Sequence, residues 1–265
     1  MTVHTTTDTT EILDRLDKAV MVDPVRNTIF ATVRSTLRAA GSGGWSASEG
    51  GALAARSAVT HPVALTTGWS ETARLGDALA DLPSIGGIGG PVDTVEQLIA
   101  QLDRAPAKRI AERLYRLNRL NTPRGVPGTA RPATEWDIDV VAGWVEPYTV
   151  ESFGRLPTDF DPVRLATAAI SYSRTWLWLE PDGTPVSMAT RRPPAAGVSR
   201  IGPVYTPPEH RGHGYGSAVT ARAAFDIIDS GALPVLYADV GNATSNKIYQ
   251  AIGFRPVTDR LSVTY

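Results

Sequence analysis

Apolar residues recur at helical spacing from residue 8 to 21, where Ile12, Leu13, Leu16, Ala19 and Val20 fall on one stripe. A second helix is predicted from Asp23, with Asp23 as its cap, Pro24 in its first turn and Gly41 as its stop. Two short apolar runs follow, GALAARSA (51–58) and PVALTTG (62–68), and both read as strands. An amphipathic helix is predicted over 70–82, a short strand over SIGGIGG (84–90) and another helix over 92–102. The tract AERLYRLNRL (111–120) repeats a leucine every third residue and fits strand or helix.

Residues 121–134, NTPRGVPGTARPAT, gather prolines and glycines and read as a linker, which puts a domain boundary near residue 123. Beyond it the pattern predicts a helix from Glu135 to Pro147, a second over 161–173, and two antiparallel strands flanking the turn Pro181-Asp182-Gly183. A third strand, SRIGPVY (199–205), leads into a glycine-rich loop and then a helix ending at Gly231. Both halves share the plan helix, helix, three strands, helix, which points to a duplicated unit of about 130 residues, within the ordinary range for a domain. The fold class expected is α/β, with a mixed, mostly antiparallel sheet flanked by helices in each half.

Composition narrows the function. Of 265 residues, 42% are hydrophobic and 20% charged, the balance of a globular chain with a core. The net charge is -1 and the 26 basic residues are scattered, so neither nucleic acid nor an anionic membrane is the expected partner. With no cysteine, disulfides, thiolate catalysis and Cys-based metal sites are excluded, which fits a reducing compartment. The amino terminus lacks a basic start followed by an apolar core, and no run approaches 18 apolar residues, so a cytoplasmic protein is expected.

The densest candidate chemistry lies in YTPPEHRGHGYGS, residues 205–217. Gly212, Gly214 and Gly216 stand at alternating positions before the helix. Its first N–H groups lack intrahelical acceptors and carry the positive end of the helix dipole, a setting for phosphate oxygens. Arg211 adds a forked, permanently charged donor. A Walker phosphate loop needs a lysine where Tyr215-Gly216 stands, and a dinucleotide fingerprint needs G-x-G-x-x-G, whereas the spacing here is G-x-G-x-G. A plain turn remains the alternative, and Glu209, His210 and His213 are the other polar residues in the segment.

The stretch Arg211-Gly-His-Gly-Tyr-Gly216, between the strand IGPVYT and an amphipathic helix, resembles the acyl-CoA pyrophosphate loop of the GNAT N-acetyltransferase superfamily. Downstream, LPVLYADV (233–240) and NATSNKIYQAIGF (242–254) resemble that family's splayed strand and its Asn…Ser-Asn…Tyr…Gly-Phe segment. The resemblance covers residues 124–265. In the first half only the order of elements is similar, and SIGGIGGPV, at the place of the loop, lacks an arginine, which implies a degenerate copy.

The resemblance implies acetyl-CoA or another acyl-CoA as co-substrate, no metal, and a small-molecule or protein amine as acceptor. It implies cofactor contacts from Val204, Tyr205, Arg211, Gly212, His213, Gly214, Tyr215, Gly216, Ser217, Asn242 and Asn246. Tyr249 matches the family's tyrosine near the CoA sulfur, a place for a general acid. Glu151, in a region that lines the acceptor site of relatives, is the candidate base, with Glu146 nearby. The residue-level alternatives are a core aromatic for Tyr249, a helix cap for either asparagine and a solvated carboxylate for Glu151. The rival function is a non-catalytic acyl-CoA sensor, and the first half is expected to complete the acceptor pocket or to stabilise the second.

Overall fold

The computed structural model describes residues 2–157, 159–172 and 174–265. The chain forms two compact units, one of residues 1–114, 239–241 and 258–265, the other of residues 115–238 and 242–257. A single cut near residue 123 therefore does not describe the division, because the C-terminal segment from Thr258 returns to the first unit.

In chain order the first repeat holds β1 (His4–Thr6), α1 (Thr9–Val22), α2 (Thr28–Ala40), β2 (Trp45–Glu49), β3 (Ala52–Arg56), β4 (Val63–Leu65), α3 (Thr72–Ala80), β5 (Gly87–Gly90), α4 (Val92–Leu102) and β6 (Lys108–Leu117). The second holds β7 (Thr129–Pro132), α5 (Ile138–Phe153), α6 (Pro162–Ser171), β8 (Arg174–Leu179), β9 (Pro185–Arg191), β10 (Val198–Tyr205), α7 (Tyr215–Asp229), β11 (Leu233–Asp239), α8 (Ala243–Ile252) and β12 (Phe254–Thr264). The two series match element for element.

Within the first unit the strand order is β1-β2-β3-β4-β5-β12, with β4 and β5 parallel and their neighbours antiparallel. Its core packs Leu65, Leu75, Leu79, Ile88, Leu98 and Val263. Asp8 caps α1 by accepting the Glu11 amide at 2.8 Å, and Ile12, Leu16, Ala19 and Val20 form the buried stripe. The second helix starts at Thr28, later than expected, because Asp23 accepts the Arg26 amide at 2.9 Å and holds the intervening residues in a turn. The ambiguous leucine tract is strand β6, burying Leu114, Tyr115 and Leu117.

Within the second unit the order is β6-β11-β10-β9-β8-β7, with β10 and β11 parallel and β7 to β10 antiparallel. One core, including Trp176, Ala189, Ile201, Val219 and Ile227, lies under α7, and a second joins Leu177, Met188 and Tyr205 to Val141 and Val145 of α5. The start of α5 is fixed by Asp137, which accepts the Thr134 amide at 2.8 Å and pairs with Arg131; that pairing, against a desolvation cost, pulls its carboxyl down to about 2. The helix does not stop at Pro147. It runs on to Gly154, whose φ of 80° ends it, so Glu151 sits in the last turn of α5 rather than between two helices. The predicted stretch over 161–173 forms α6, and its last residue, Ser173, lies outside the described residues.

Candidate functional site

The turn Pro181-Asp182-Gly183 joins β8 to β9, with Gly183 at a φ of 90°. From there the chain enters β10, which pairs with β11 from Val198 to Ile201 and with β9 on its other side. After Ile201 the register to β9 shifts, and Val204 and Tyr205 pair with Ala189 and Met188 while the recorded register to β11 has already ended. The parallel pair thus parts at the C-terminal ends of its strands, the edge where open α/β sheets bind ligands. Pro203 has no N–H to offer in this stretch, where the backbone donors are those of Gly202, Val204 and Tyr205.

Beyond Tyr205 the chain makes a short turn at Pro208–His210, and α7 begins at Tyr215. Gly212 and Gly214 have φ of 86° and 84°, the left-handed region that other residues avoid. A Cβ on Gly212 would meet nothing within 4 Å, so that glycine is set by backbone conformation and by open space. Gly214 stands at the N-cap; no side chain caps the helix and no acidic residue occupies its first turn. The amides of Tyr215, Gly216 and Ser217 have no intrahelical acceptor by position, since the first ladder bond runs from Ala218 to the Gly214 carbonyl at 3.0 Å.

The side chains around the loop are committed inward. Tyr215 is buried and donates to Glu180 at 2.7 Å, a bond to a carboxylate that, with burial, pushes its phenol up. His213 stacks on the Tyr215 ring at 5.5 Å, and His210 offers it a carbonyl at 3.4 Å. Arg211 donates through Nε to the Thr206 carbonyl and through one Nη to both Glu151 oxygens, each at 2.9 Å, while lying 5.8 Å above the Tyr205 ring. Two residues given separate roles from the sequence therefore form one half-exposed ion pair.

Further along, Asn242 caps α8 by accepting the Ser245 amide at 2.9 Å. Asn246 accepts the Tyr115 hydroxyl at 2.7 Å and donates to the Asn242 carbonyl at 2.8 Å. Tyr249 lies on the same helix, buried between Tyr115 and Phe254 with ring centroids 6.5 and 6.3 Å away. Burial first, and then the nearby Tyr148, push its phenol above the ordinary value, with a bond to Ser245 opposing them. Tyr148 of α5 was not singled out in the sequence, where nothing distinguishes it from a core aromatic. An open groove of about 510 Å³ beside α5 is lined by Asp139, Gly143, Pro147, Tyr205, Pro207 and Glu209; neither Tyr249 nor a loop glycine borders it. Among the described residues no group of three His, Cys, Asp or Glu comes together, and no helix is long and apolar enough to cross a membrane.

The first unit treats the corresponding place differently. SIGGIGG is not in the position of the loop: Gly87 to Gly90 are strand β5, which runs parallel to β4 as β11 runs parallel to β10. These glycines serve close packing. A Cβ on Gly90 would stand 2.6 Å from the Leu65 Cβ, and one on Gly87 would overlap the Val263 carbonyl. The counterpart of the 206–214 loop is the segment 66–71 ahead of α3. There Glu49, buried at the end of β2, accepts the amides of Ser70 and Glu71 at 3.0 and 3.2 Å and the Ser70 hydroxyl at 3.0 Å. Desolvation works against this carboxylate, yet the hydrogen bonds outweigh it and hold its pKa below the usual range.

Residues 182–263 match the family model for FR47-like proteins. No curated protein matches the sequence. Among solved structures, a Drosophila protein aligns with 99% of this chain and 98% of its own at 12% identity and a TM-score of 0.69. A GCN5-related N-acetyltransferase from Kribbella flavida aligns over 91% of this chain and 95% of its own at 16% identity and a TM-score of 0.61. A tandem GNAT protein from the clavulanic acid biosynthesis pathway aligns over 100% of this chain and 98% of its own at 12% identity and a TM-score of 0.61. At such identities the likeness is one of fold, and it extends over both repeats.

Proposed function

On this tandem GNAT fold, we propose that the second unit is a CoA-dependent N-acyltransferase, cytoplasmic, with acetyl-CoA as donor and an amine as acceptor. The observation that carries the reading is the uncapped amino terminus of α7, set where β10 leaves β11, with glycines at Gly212 and Gly214 and no carboxylate in the first turn. Unpaired amides, a positive dipole end and a main chain bare of Cβ atoms fit a pyrophosphate group. In the same reading the first unit is a degenerate GNAT-like copy in which Glu49 takes up the amides ahead of α3.

Acyl-CoA held by the α7 amides and Arg211 would supply an acyl carbon activated as a thioester. In the net reaction the amine nitrogen bonds to that carbon, the carbon–sulfur bond breaks, and the proton lost by nitrogen ends on sulfur. The backbone N–H of Val204 or Tyr205 is the donor assigned to the carbonyl oxygen as it gains charge. Tyr249, whose burial keeps its hydroxyl protonated at neutral pH, is assigned to donate a hydrogen bond toward the departing sulfur. Asn242 and Asn246 fix the start of α8, and hence Tyr249, through the bonds already described. Glu151 meets Arg211 with both oxygens, which supports a positioning role in place of the base expected from sequence, and an amine arriving neutral needs no strong base.

Thermal shift against acetyl-CoA, longer acyl-CoAs and NAD tests the binding half, with stabilisation by acyl-CoA expected and stabilisation by NAD alone overturning it. Tyr249→Phe tests the chemistry: turnover is expected to fall about 100-fold or more, the scale of a lost general acid, with acetyl-CoA affinity retained. Tight acetyl-CoA binding with no turnover on any amine would make the protein an acyl-CoA sensor.

A further inference from the structure

The open groove beside α5 is built from residues of the second unit alone, and two residues of its helical wall are ones that a helix interior disfavours. Gly143 stands inside α5 without a positive φ, and a Cβ there would meet nothing within 4 Å. Neither backbone conformation nor close packing calls for glycine at that place, where it weakens a helix relative to alanine. Its effect is to leave the groove open. One turn on, Pro147 has no N–H, so the Gly143 carbonyl, four residues back, lacks its ladder donor. The helix therefore lines the groove with bare backbone at the turn where its own hydrogen bonding is incomplete.

The charge of the groove has one sign. Asp139, in the first turn of α5, and Glu209, in the turn after β10, both line it, and neither has an ion pair among the described residues. No lysine, arginine or histidine lines it among those residues. Arg211 lies over the Tyr205 ring, but Glu151 answers its charge. Burial first, and then Glu151, push the Tyr205 phenol above its ordinary value, and Glu209 acts the same way against Arg211. The rest of the lining is Val140, Trp144, Tyr205 and four prolines. Unpaired carboxylates, a carbonyl short of its donor and two aromatic side chains fit an ammonium on an apolar stem. Acyl-CoA does not suit this place, because its phosphates carry the same charge as the lining.

We propose that the groove receives the charged end of the acceptor, which makes the acceptor an aliphatic diamine or polyamine. One nitrogen, neutral, reaches the thioester where the amide of Val204 or Tyr205 is assigned to the carbonyl oxygen. A second nitrogen stays protonated and faces Asp139 and Glu209, with its methylene stem along the prolines. Tyr205 belongs to both places, which sets the groove next to the reacting bond. The acylated nitrogen loses its proton to sulfur as in the net reaction above, and the second ammonium takes no part in the bond change. At about 510 Å³ the groove is within the ordinary range for a small-molecule site. The assignment rests on the acyltransferase reading, and the experiment separates the two.

Full-length protein, the double variant Asp139→Asn/Glu209→Gln and Gly143→Leu are offered cadaverine or pentylamine with acetyl-CoA, following release of the CoA thiol. Pentylamine matches cadaverine in length and lacks only the second charge. The kcat/KM for cadaverine is expected at least about 10-fold above that for pentylamine, the scale of one hydrogen bond to a charged group. The double variant should erase that preference. Gly143→Leu, whose side chain enters the groove, should raise the KM for cadaverine while Tm holds or rises, since leucine favours a helix over glycine. A flat ratio, a preference that survives the double substitution, or an unchanged KM in Gly143→Leu overturns the proposal. Thermal shift with each amine alone reads the groove without CoA. Failure of acetyl-CoA to bind defeats the acyltransferase reading, while stabilisation by cadaverine over pentylamine, lost in the double variant, keeps the cation site. If neither amine is turned over, equal shifts with the two overturn it.

Discussion

The amino terminus of α3 in the first unit and that of α7 in the second follow the central parallel strand of a similar unit, yet the segments that lead into them differ. Ahead of α3 the amides of Ser70 and Glu71 go to a buried carboxylate, Glu49 of β2, although the helix itself has no side-chain cap. Ahead of α7 no side chain caps the helix, and the glycines leave space where a Cβ on Gly212 would touch nothing. Orphan amides at a helix start must find an acceptor. The first unit fixes the two residues before its helix with Glu49, whereas the second brings glycines of positive φ to the same place, the room that the proposed pyrophosphate would use.

The largest effect expected comes from bringing a carboxylate to the helix start of the second unit. Ser217→Asp places a carboxylate in the opening turn of α7, where it favours the helix by about 0.3–1 kcal/mol. Against a bound pyrophosphate it sets a like charge, costing about 4 kcal/mol at 4 Å in an effective dielectric of 20. Acetyl-CoA affinity should fall more than about 100-fold while Tm holds or rises.

Next come matched glycines. Gly68, ahead of α3, and Gly212, ahead of α7, both have positive φ, and a Cβ on either is free of clash. Alanine at each should cost a similar ~1–2 kcal/mol of backbone strain, measured by urea unfolding. Only Gly212→Ala should weaken acetyl-CoA binding, because its methyl group enters the cradle.

Glu49→Gln should lower Tm at pH 7 and leave acetyl-CoA affinity unchanged. The sign of its pH dependence follows from its depressed pKa: Glu49 stabilises the fold above its unfolded value, near 4.3, and that contribution is lost as pH falls through the lower folded value. The Tm gap between the two proteins should therefore narrow as pH drops from 7 toward 3.

The smallest effect belongs to Glu151→Gln. Its pair with Arg211 is half-exposed, and such pairs are worth about 0–1 kcal/mol. Stability should stay within that range and acetyl-CoA affinity should change only a few-fold, whereas a collapse of turnover with affinity intact would return Glu151 to a catalytic role.

Much of this comparison was legible in the chain. Periodicity marked α1, α3, α4 and α7, and the Pro-Asp-Gly turn marked β8 and β9, because a stripe or a tight turn is a local signal. The strands β1, β2 and β7 escaped notice because His4–Thr6, WSASE and TARP are short, polar or small and carry no alternating apolar pattern. The exchange that sends residues 258–265 to the first unit depends on pairing across more than 160 residues, which no window reveals. The glycine loop was visible and so was strand β5 within SIGGIGG, but the glycines of that strand drew the counterpart of the loop to the wrong place, since they serve packing against Leu65 and Val263. Glu49 gave no signal, as a single carboxylate acquires its meaning only from the amides brought to it.

Isothermal titration of the full-length chain with acetyl-CoA reads the central difference most directly. One site per chain, lost in Ser217→Asp and intact in Glu49→Gln, is the predicted result; two sites per chain, or one that survives Ser217→Asp, would contradict it.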